Sequence, residues 1–224
     1  MSRGAAGSRF ADGRIGAEMF SKGVLLLMPD IKVAMCTGNA GKFRTAQEHL
    51  APWGVEVEQV PLELDEIQTT PVVEIAQHKA RQAYAILGRP LFVEDSGFYI
   101  EEFGGWPGPM VKQALEAFGP SGLTHLADLT QNRTCRFASA AVYADADGRL
   151  NTFAEDTRSP GTIAAVPVRG NSPRSWSDLW SIFVPYGAAT TLAALPEDEQ
   201  NRVFDEWGKS SVVAALGEWL AQSH

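Results

Sequence analysis

Cysteine is scarce in this chain. Cys36 and Cys135 are the only two in 224 residues. That is too few for a disulfide framework, and they lack the paired spacing of a zinc site. A reducing cytoplasm is the expected compartment. A long apolar run is missing as well. Val24-Leu25-Leu26-Leu27-Met28 is the most hydrophobic stretch near the N-terminus. It is too short to cross a bilayer or to form a secretory core, so no membrane is expected among the partners. Positive charge is in deficit, with a formal net charge of -8. Such a chain lacks the basic face that nucleic acid requires, although a few lysines in a cleft still make a local field for a nucleotide. Repeats and low-complexity tracts are absent. The remaining composition is that of a globular protein, and the length suits one large domain or two lobes sharing a core.

Met1 to Gly23 is rich in Gly, Ala, Ser and Arg. Residues 1–30 read as an extension outside the core, with Met28 an alternative start. Ile31 to Cys36 reads as a first strand. Thr37-Gly38-Asn39-Ala40-Gly41-Lys42 follows, and then a helix with Phe43, Ala46 and Leu50 at helical spacing, stopped by Pro52. A glycine-containing loop between a strand and a helix N-terminus can hold an anion, because free amides and the positive dipole end face it. It is neither a Walker A loop nor a dinucleotide fingerprint. The plain alternative is a turn with Asn39 as cap. Val55 to Val60 alternates like a half-exposed strand. A helix then starts at Thr70-Pro71, with Thr70 as N-cap and Pro71 at the first helical position. Val72, Ala76, Ala83 and Leu87 mark its buried stripe, and Lys79 falls on that stripe where an apolar residue is expected. It either snorkels to the surface or points into a cleft.

Leu91-Phe92-Val93 then reads as a buried strand of an α/β sheet, ending in two adjacent carboxylates, Glu94 and Asp95. Neighbouring side chains on a strand point to opposite faces unless the backbone turns; Ser96-Gly97 is expected to supply a turn. Charge at the mouth of a buried strand is costly unless a cation or hydrogen bonds offset it. A divalent metal would do so; a solvated acidic loop is the alternative. Beyond it come a stiff Gly104–Pro109 loop and a short helix from Met110 to Phe118 that carries Lys112 and is ended by Gly119-Pro120. Next are a hairpin of Arg136–Ala144 with Leu150–Ala154, and a strand at Gly161–Ala165. A polar, tryptophan-bearing loop follows over 171–180. Helices are expected over Glu197–Glu206 and Lys209–Ala221.

In this order the motifs resemble the inosine triphosphate pyrophosphatase family. The matches are Thr37-Gly38-Asn39-Ala40-Gly41-Lys42, Glu66-Ile67-Gln68, Lys79 in its helix, Val93-Glu94-Asp95-Ser96-Gly97, Gly105-Trp106-Pro107-Gly108-Pro109, and Lys112. The resemblance implies an α/β fold with a mixed, strongly twisted central sheet, flanking helices, and two lobes around a cleft, formed by residues 31–224. It implies a homodimer, and Mg²⁺-dependent hydrolysis of a nucleoside triphosphate to the monophosphate and pyrophosphate. On that reading Glu66, Glu94 and Asp95 supply carboxylates for the metal, and Asp95 alternatively orients or deprotonates the attacking water. Lys42, Lys79 and Lys112 neutralise phosphate charge. Thr37 and Asn39, with Ser96, hold the triphosphate.

The C-terminal half departs from the family pattern. A Phe-Gly-Tyr/Trp-Asp-Pro segment is replaced by Ser177-Asp178-Leu179-Trp180-Ser181-Ile182-Phe183, with Trp180 at the usual aspartate or, in a shifted register, Asp178 in its place. Ser-His-Arg before the last helix is replaced by Trp207-Gly208-Lys209. Because those segments contact the base in the family, the base end looks rewritten, and an altered base selectivity is expected. Trp176 or Trp180 is a candidate stacking platform, with core burial as the alternative. Lys209 offers a single hydrogen bond where arginine would offer a planar fork. Two other readings compete: a catalytically silent nucleotide binder, and a pyrophosphatase dedicated to a specialised pathway.

Overall fold

The computed structural model describes residues 31–155, 159–171 and 177–223. The expected N-terminal extension and Trp176 lie outside the described residues. Among the described residues no helix is long and apolar enough to cross a membrane.

Among the described residues eight strands form one mixed sheet in the order β2-β1-β3-β5-β7-β8, with β4 added to β3 and β6 to β5. Strand β1 (Ile31–Cys36) lies parallel to β2 (Val55–Val60) and to β3 (Leu91–Ile100). The remaining pairs are antiparallel: β3 with β4 (Pro107–Gly108) and with β5 (Thr134–Ala144), β5 with β6 (Leu150–Glu155) and with β7 (Pro160–Ile163), and β7 with β8 (Phe183–Pro185). Among the described residues five α-helices flank the sheet: α1 (Ala40–Leu50), α2 (Val72–Leu87), α3 (Val111–Asp128), α4 (Glu197–Lys209) and α5 (Val212–Ser223).

Strands β3 and β5 are the spine. They pair in unbroken register from Leu91↔Ala144 to Ile100↔Cys135. The expected turn at Ser96-Gly97 is therefore absent, and the strand runs straight through. Gly97 serves another end. A Cβ there would lie 2.8 Å from the Gly108 carbonyl carbon and 2.9 Å from the Pro109 nitrogen, so only glycine lets β4 come this close.

Period-two alternation divides the spine between three cores. On one face, Phe92, Ala141 and Tyr143 pack under α1 and α5 with Leu50, Leu216 and Leu220. Further along the same face, Phe98, Ile100 and Cys135 join a second core with Leu123, Trp180 and Phe183. Between these two apolar clusters the face carries Glu94 and Ser96, each opposite a small residue, Ala141 and Ser139. The opposite face packs Leu91, Val93 and Ala140 against the alanine stripe of α2, Ala76, Ala80 and Ala83. The two lobes are thus two cores strung on the same two strands, and the cleft is the polar interval between them.

Two local expectations shift. Thr70 is not the cap of α2: Pro71 holds that position without a side-chain bond, and Thr69 donates instead to Glu74 (2.9 Å). Gly119 breaks α3 as expected, with φ 62° and ψ 177°, but the chain resumes a helix to Asp128.

Candidate active site

The Thr37–Lys42 loop is built by its own side chains. Asn39 caps α1, its Oδ1 accepting the amides of Gly41 (2.8 Å) and Lys42 (3.1 Å). Asn39 N in turn donates to Thr37 Oγ1 (3.1 Å), and Gln59 Nε2 on β2 donates to Thr37 O (3.0 Å). The capping alternative is therefore what the structure displays. With Oδ1 occupied, the Asn39 side-chain amide nitrogen is left as a donor. Among the described residues the Gly38 and Ala40 amides meet no protein acceptor.

The sheet has a gap beside this loop. Strand β1 stops pairing with β3 at Met35↔Phe92, and β4 takes up that edge only at Phe98↔Gly108. Between Phe92 and Phe98 no strand covers the edge among the described residues. Because the strand does not turn, Glu94 and Asp95 leave it on opposite faces. Glu94 meets Lys42 from α1 at 3.0 Å, and Lys42 Nζ also donates to the Glu94 carbonyl at 3.4 Å. Asp95 meets Lys79 from α2 at 2.7 Å. The Asp95 carboxylate also curls back onto the open edge, where Oδ1 accepts the Ser96 amide at 2.9 Å. A ligand lying across this edge meets Lys42 and Glu94 on one side and Asp95 and Lys79 on the other.

Lys79 reaches two acids at once. Its Nζ lies 2.7 Å from Asp95 Oδ2 and 2.5 Å from Glu66 Oε1. Glu66 is 58% exposed, yet its loop is clamped. Gln82 exchanges two bonds with the Asp65 backbone (3.1 and 3.0 Å), and Tyr99 Oη donates to Thr70 O (2.9 Å). Burial pulls both lysine ammoniums toward neutrality, but the carboxylates outweigh it. Lys42 is held above the usual lysine value by Glu94, Asp95 and Glu66, and Lys79 by Asp95 and Glu66. Both are therefore cations at neutral pH.

The structure thus brings Thr37, Asn39, Lys42, Glu66, Lys79, Glu94, Asp95 and Ser96 into one cleft of about 1570 Å³. Lys112 and Lys209 stand on its rim. Lys112 is 82% exposed and pairs with Glu116 at 4.0 Å; Lys209 ends α4 in solvent. Trp180 is 6% exposed and packs against Phe137, Phe204 and Trp207, so it forms the cleft's apolar wall from within the second core. Asp178 lines the cleft and pairs with Arg169 at 3.2 Å. His49 and Ser211 also line it, and sequence reasoning passed over both. The signal was there: His49 is seven residues after Lys42, on the same face of α1.

The arrangement suits a charged, elongated anion with an aromatic end. A family model described as the Ham1 family matches residues 33–208. The dITP/XTP pyrophosphatase of Methanopyrus kandleri is 36% identical over 191 residues, 81% of this chain and 98% of that protein. Inosine triphosphate pyrophosphatase 2 of Trypanosoma cruzi is 38% identical over 173 residues, 77% of this chain and 85% of that protein. A solved structure, the nucleoside-triphosphatase / dITP/XTP pyrophosphatase from Mycobacterium abscessus, superposes with a TM-score of 0.65 at 23% identity. The match covers 83% of this chain and 98% of that one, which shows a shared fold.

Proposed function

The chain belongs to the Ham1 family, and on that footing we propose that it hydrolyses a non-canonical purine nucleoside triphosphate to the monophosphate and pyrophosphate. The observation that carries this reading is the open edge of β3. It sets two lysines and three carboxylates on the two sides of one gap, at the end of the Thr37–Lys42 loop.

The charges ask for a cation. Glu66, Glu94 and Asp95 against Lys42 and Lys79 leave the cluster one unit negative, which repels a triphosphate. A divalent ion inverts that sign. Among the described residues no group of three or more acids, histidines or cysteines forms a ready cage. That fits Mg²⁺, which takes one or two protein carboxylates and keeps water and phosphate oxygens as its other ligands. Glu66, exposed beside Lys79, would hold it with Glu94 near by, which leaves Asp95 for the water. When bound, the ion supplies charge neutralisation on the phosphate oxygens.

In the proposed reaction, water attacks the α-phosphorus in line with the bond to the bridging oxygen of the β-phosphate. The new P–O bond forms as that bond breaks, and pyrophosphate leaves with the electron pair. Asp95 takes the proton from the water. Its orientation is set by the Ser96 amide on one oxygen and Lys79 on the other. Lys42 and Lys79 stabilise the charge that builds on the phosphoryl oxygens. Thr37, the Asn39 amide and the loop backbone hold the phosphate tail. Lys112 and Lys209 close on the substrate from the rim, and Trp180 backs the base pocket. A homodimer, and a reducing cytoplasm in keeping with two buried free thiols, complete the proposal.

The test is a panel of nucleoside triphosphates with Mg²⁺, with pyrophosphate and orthophosphate measured separately. Pyrophosphate as the first product is expected. Orthophosphate as the first product, or no product from any member, refutes the reading.

A further inference from the structure

Of the polar side chains buried among the described residues, Asp95, Thr124, Ser181, Thr191, Gln200 and Ser211 each have a hydrogen-bond partner. Ser139 is the exception. It is 5% exposed, and among the described residues its hydroxyl neither donates nor accepts a hydrogen bond. A buried hydroxyl without a partner costs free energy. This one lines the cleft, so a ligand there would supply what the protein does not.

Ser139 stands at the middle of the cleft floor. In the β3–β5 register it lies directly opposite Ser96, with Glu94↔Ala141 on one side and Phe98↔Phe137 on the other. The Ser96 amide donates to Asp95, but its hydroxyl has no partner among the described residues either. Directly opposite side chains start about 5 Å apart, so the two hydroxyls converge on one small polar group. Two residues along a strand advance about 7 Å. At that interval the floor changes character. It passes from the Glu94–Lys42 ion pair (3.0 Å) to the two hydroxyls, and then to the rings of Phe98 and Phe137, whose centroids lie 5.0 Å apart.

We propose that Ser139, with Ser96 opposite it, is the sugar-binding point of this site and hydrogen-bonds a hydroxyl of the substrate's ribose. A nucleotide runs in the same order as the floor: charged phosphates, a neutral polyol, and a flat aromatic base. The two serines carry no charge to offer a phosphate, and an apolar base edge would leave both hydroxyls unmatched. A serine hydroxyl both donates and accepts, and so does a sugar hydroxyl. The match therefore holds whichever way the protons lie. The inference rests on the proposed reaction for which end of the cleft holds phosphate.

Deleting the hydroxyl from each side in turn tests the contact. Ser139→Ala leaves a side chain like those of its neighbours Ala138, Ala140 and Ala141. No bond within the protein is lost, so the melting temperature should not fall. Binding of inosine 5′-monophosphate and of its 2′-deoxy and 3′-deoxy analogues is measured by calorimetry with Mg²⁺ on the full chain. The kcat/KM values of the matching triphosphates are measured alongside. Wild type should bind the parent about tenfold more tightly than one of the two deoxy analogues. In Ser139→Ala that margin should shrink to within about twofold, because the two deletions remove the same bond and cannot add. Ser139→Cys, with a weaker donor, should fall between them. A wild type that binds all three alike overturns the sugar contact, as does a margin that survives in Ser139→Ala; neither touches pyrophosphate release. A melting temperature several degrees lower in Ser139→Ala gives the hydroxyl a structural role and overturns the contact too. A Ser139-dependent margin in binding with no pyrophosphate release overturns the proposed reaction and leaves Ser139 in place. Neither binding nor turnover of any member overturns both.

Discussion

Replacing Asp95 by asparagine tests the site at its most constrained point. The Asp95 carboxylate is 12% exposed and faces a donor at each oxygen, the Ser96 amide at 2.9 Å and the Lys79 ammonium at 2.7 Å. Asparagine keeps the shape but has one oxygen and one NH₂. Whichever way it is flipped, one donor faces another. The unmatched pair should cost about 1–3 kcal/mol of stability. For a chain of this size each kcal/mol lowers the melting temperature by about 2–4 °C, so a fall of between about 2 and 12 °C is expected. The fold survives. Turnover does not, because the amide cannot take a proton; a loss of about 10²–10⁴-fold is expected. A second substitution isolates the cause. With Lys79→Met added, the asparagine NH₂ can turn toward Glu66 while its oxygen still accepts the Ser96 amide. The stability loss should shrink and activity stay lost. Thermal unfolding and pyrophosphate release are measured on the two single variants and the double. Turnover of Asp95→Asn within about tenfold of wild type would refute the role given to Asp95. A stability loss as large in the double variant as in the single would refute the clash of donors.

Two further outcomes follow from the same geometry. Lys42→Ala removes the cation beside Glu94 (3.0 Å); it should raise KM and lower kcat/KM by about 10²-fold or more, read from initial rates, and near-normal kinetics would exclude Lys42 from the phosphate site. Burial, set against the nearby Arg89 cation, pushes the Cys36 thiol from 9.0 to about 11. The folded chain therefore keeps a proton that the unfolded chain loses, so this contribution is full below pH 9.0 and fades as pH rises toward about 11. Urea unfolding across that window should show stability falling with pH, with a shallower fall in Cys36→Ala; Cys135, pushed higher still by burial, contributes in the same direction.

The fold was legible where side-chain period and backbone chemistry agreed. The first strand, the Asn39 cap, the Asp145–Gly148 hairpin and the glycine break at 119 all follow from local signals. The reading of Ser96-Gly97 as a turn failed for a definable reason. A glycine within a strand signals either a turn or a close approach, and the residue that needed the space, Pro109, is twelve positions away. The same error hid the site's geometry, since a turn would have gathered Glu94 and Asp95 on one side. Lys79 was legible because a lysine on an alanine stripe breaks the pattern. Asp95 was legible as an acid at the end of a strand, and Glu66 was named only through the family resemblance. Their pairing with Lys79 was not legible, because it depends on Gln82 and Tyr99 holding the loop before α2. For Trp180 the sequence left two readings, a platform for a base and a core residue; the structure seats it among Phe137, Phe204 and Trp207, at the wall of the cleft.

The placement of the site follows from how the sheet is assembled. A strand that serves two cores must cross the interval between them, and there its neighbours on one edge end. Strand β1 is too short to follow β3 past Phe92, and β4 joins only at Phe98. The exposed stretch still has its inner edge paired to β5 throughout, so it is rigid while its outer edge is open. Polar side chains placed there are held by the spine yet reach solvent, and alternation delivers them to both faces. This explains how two acids adjacent in sequence can serve two different lysines on two different helices. It also explains why charge is tolerated at 13% and 12% exposure for Glu94 and Asp95: each has an ammonium within 3.0 Å, so the desolvation of each acid is offset at its own face. Shifting the register of the strand by one residue would exchange the faces and break both pairs at once.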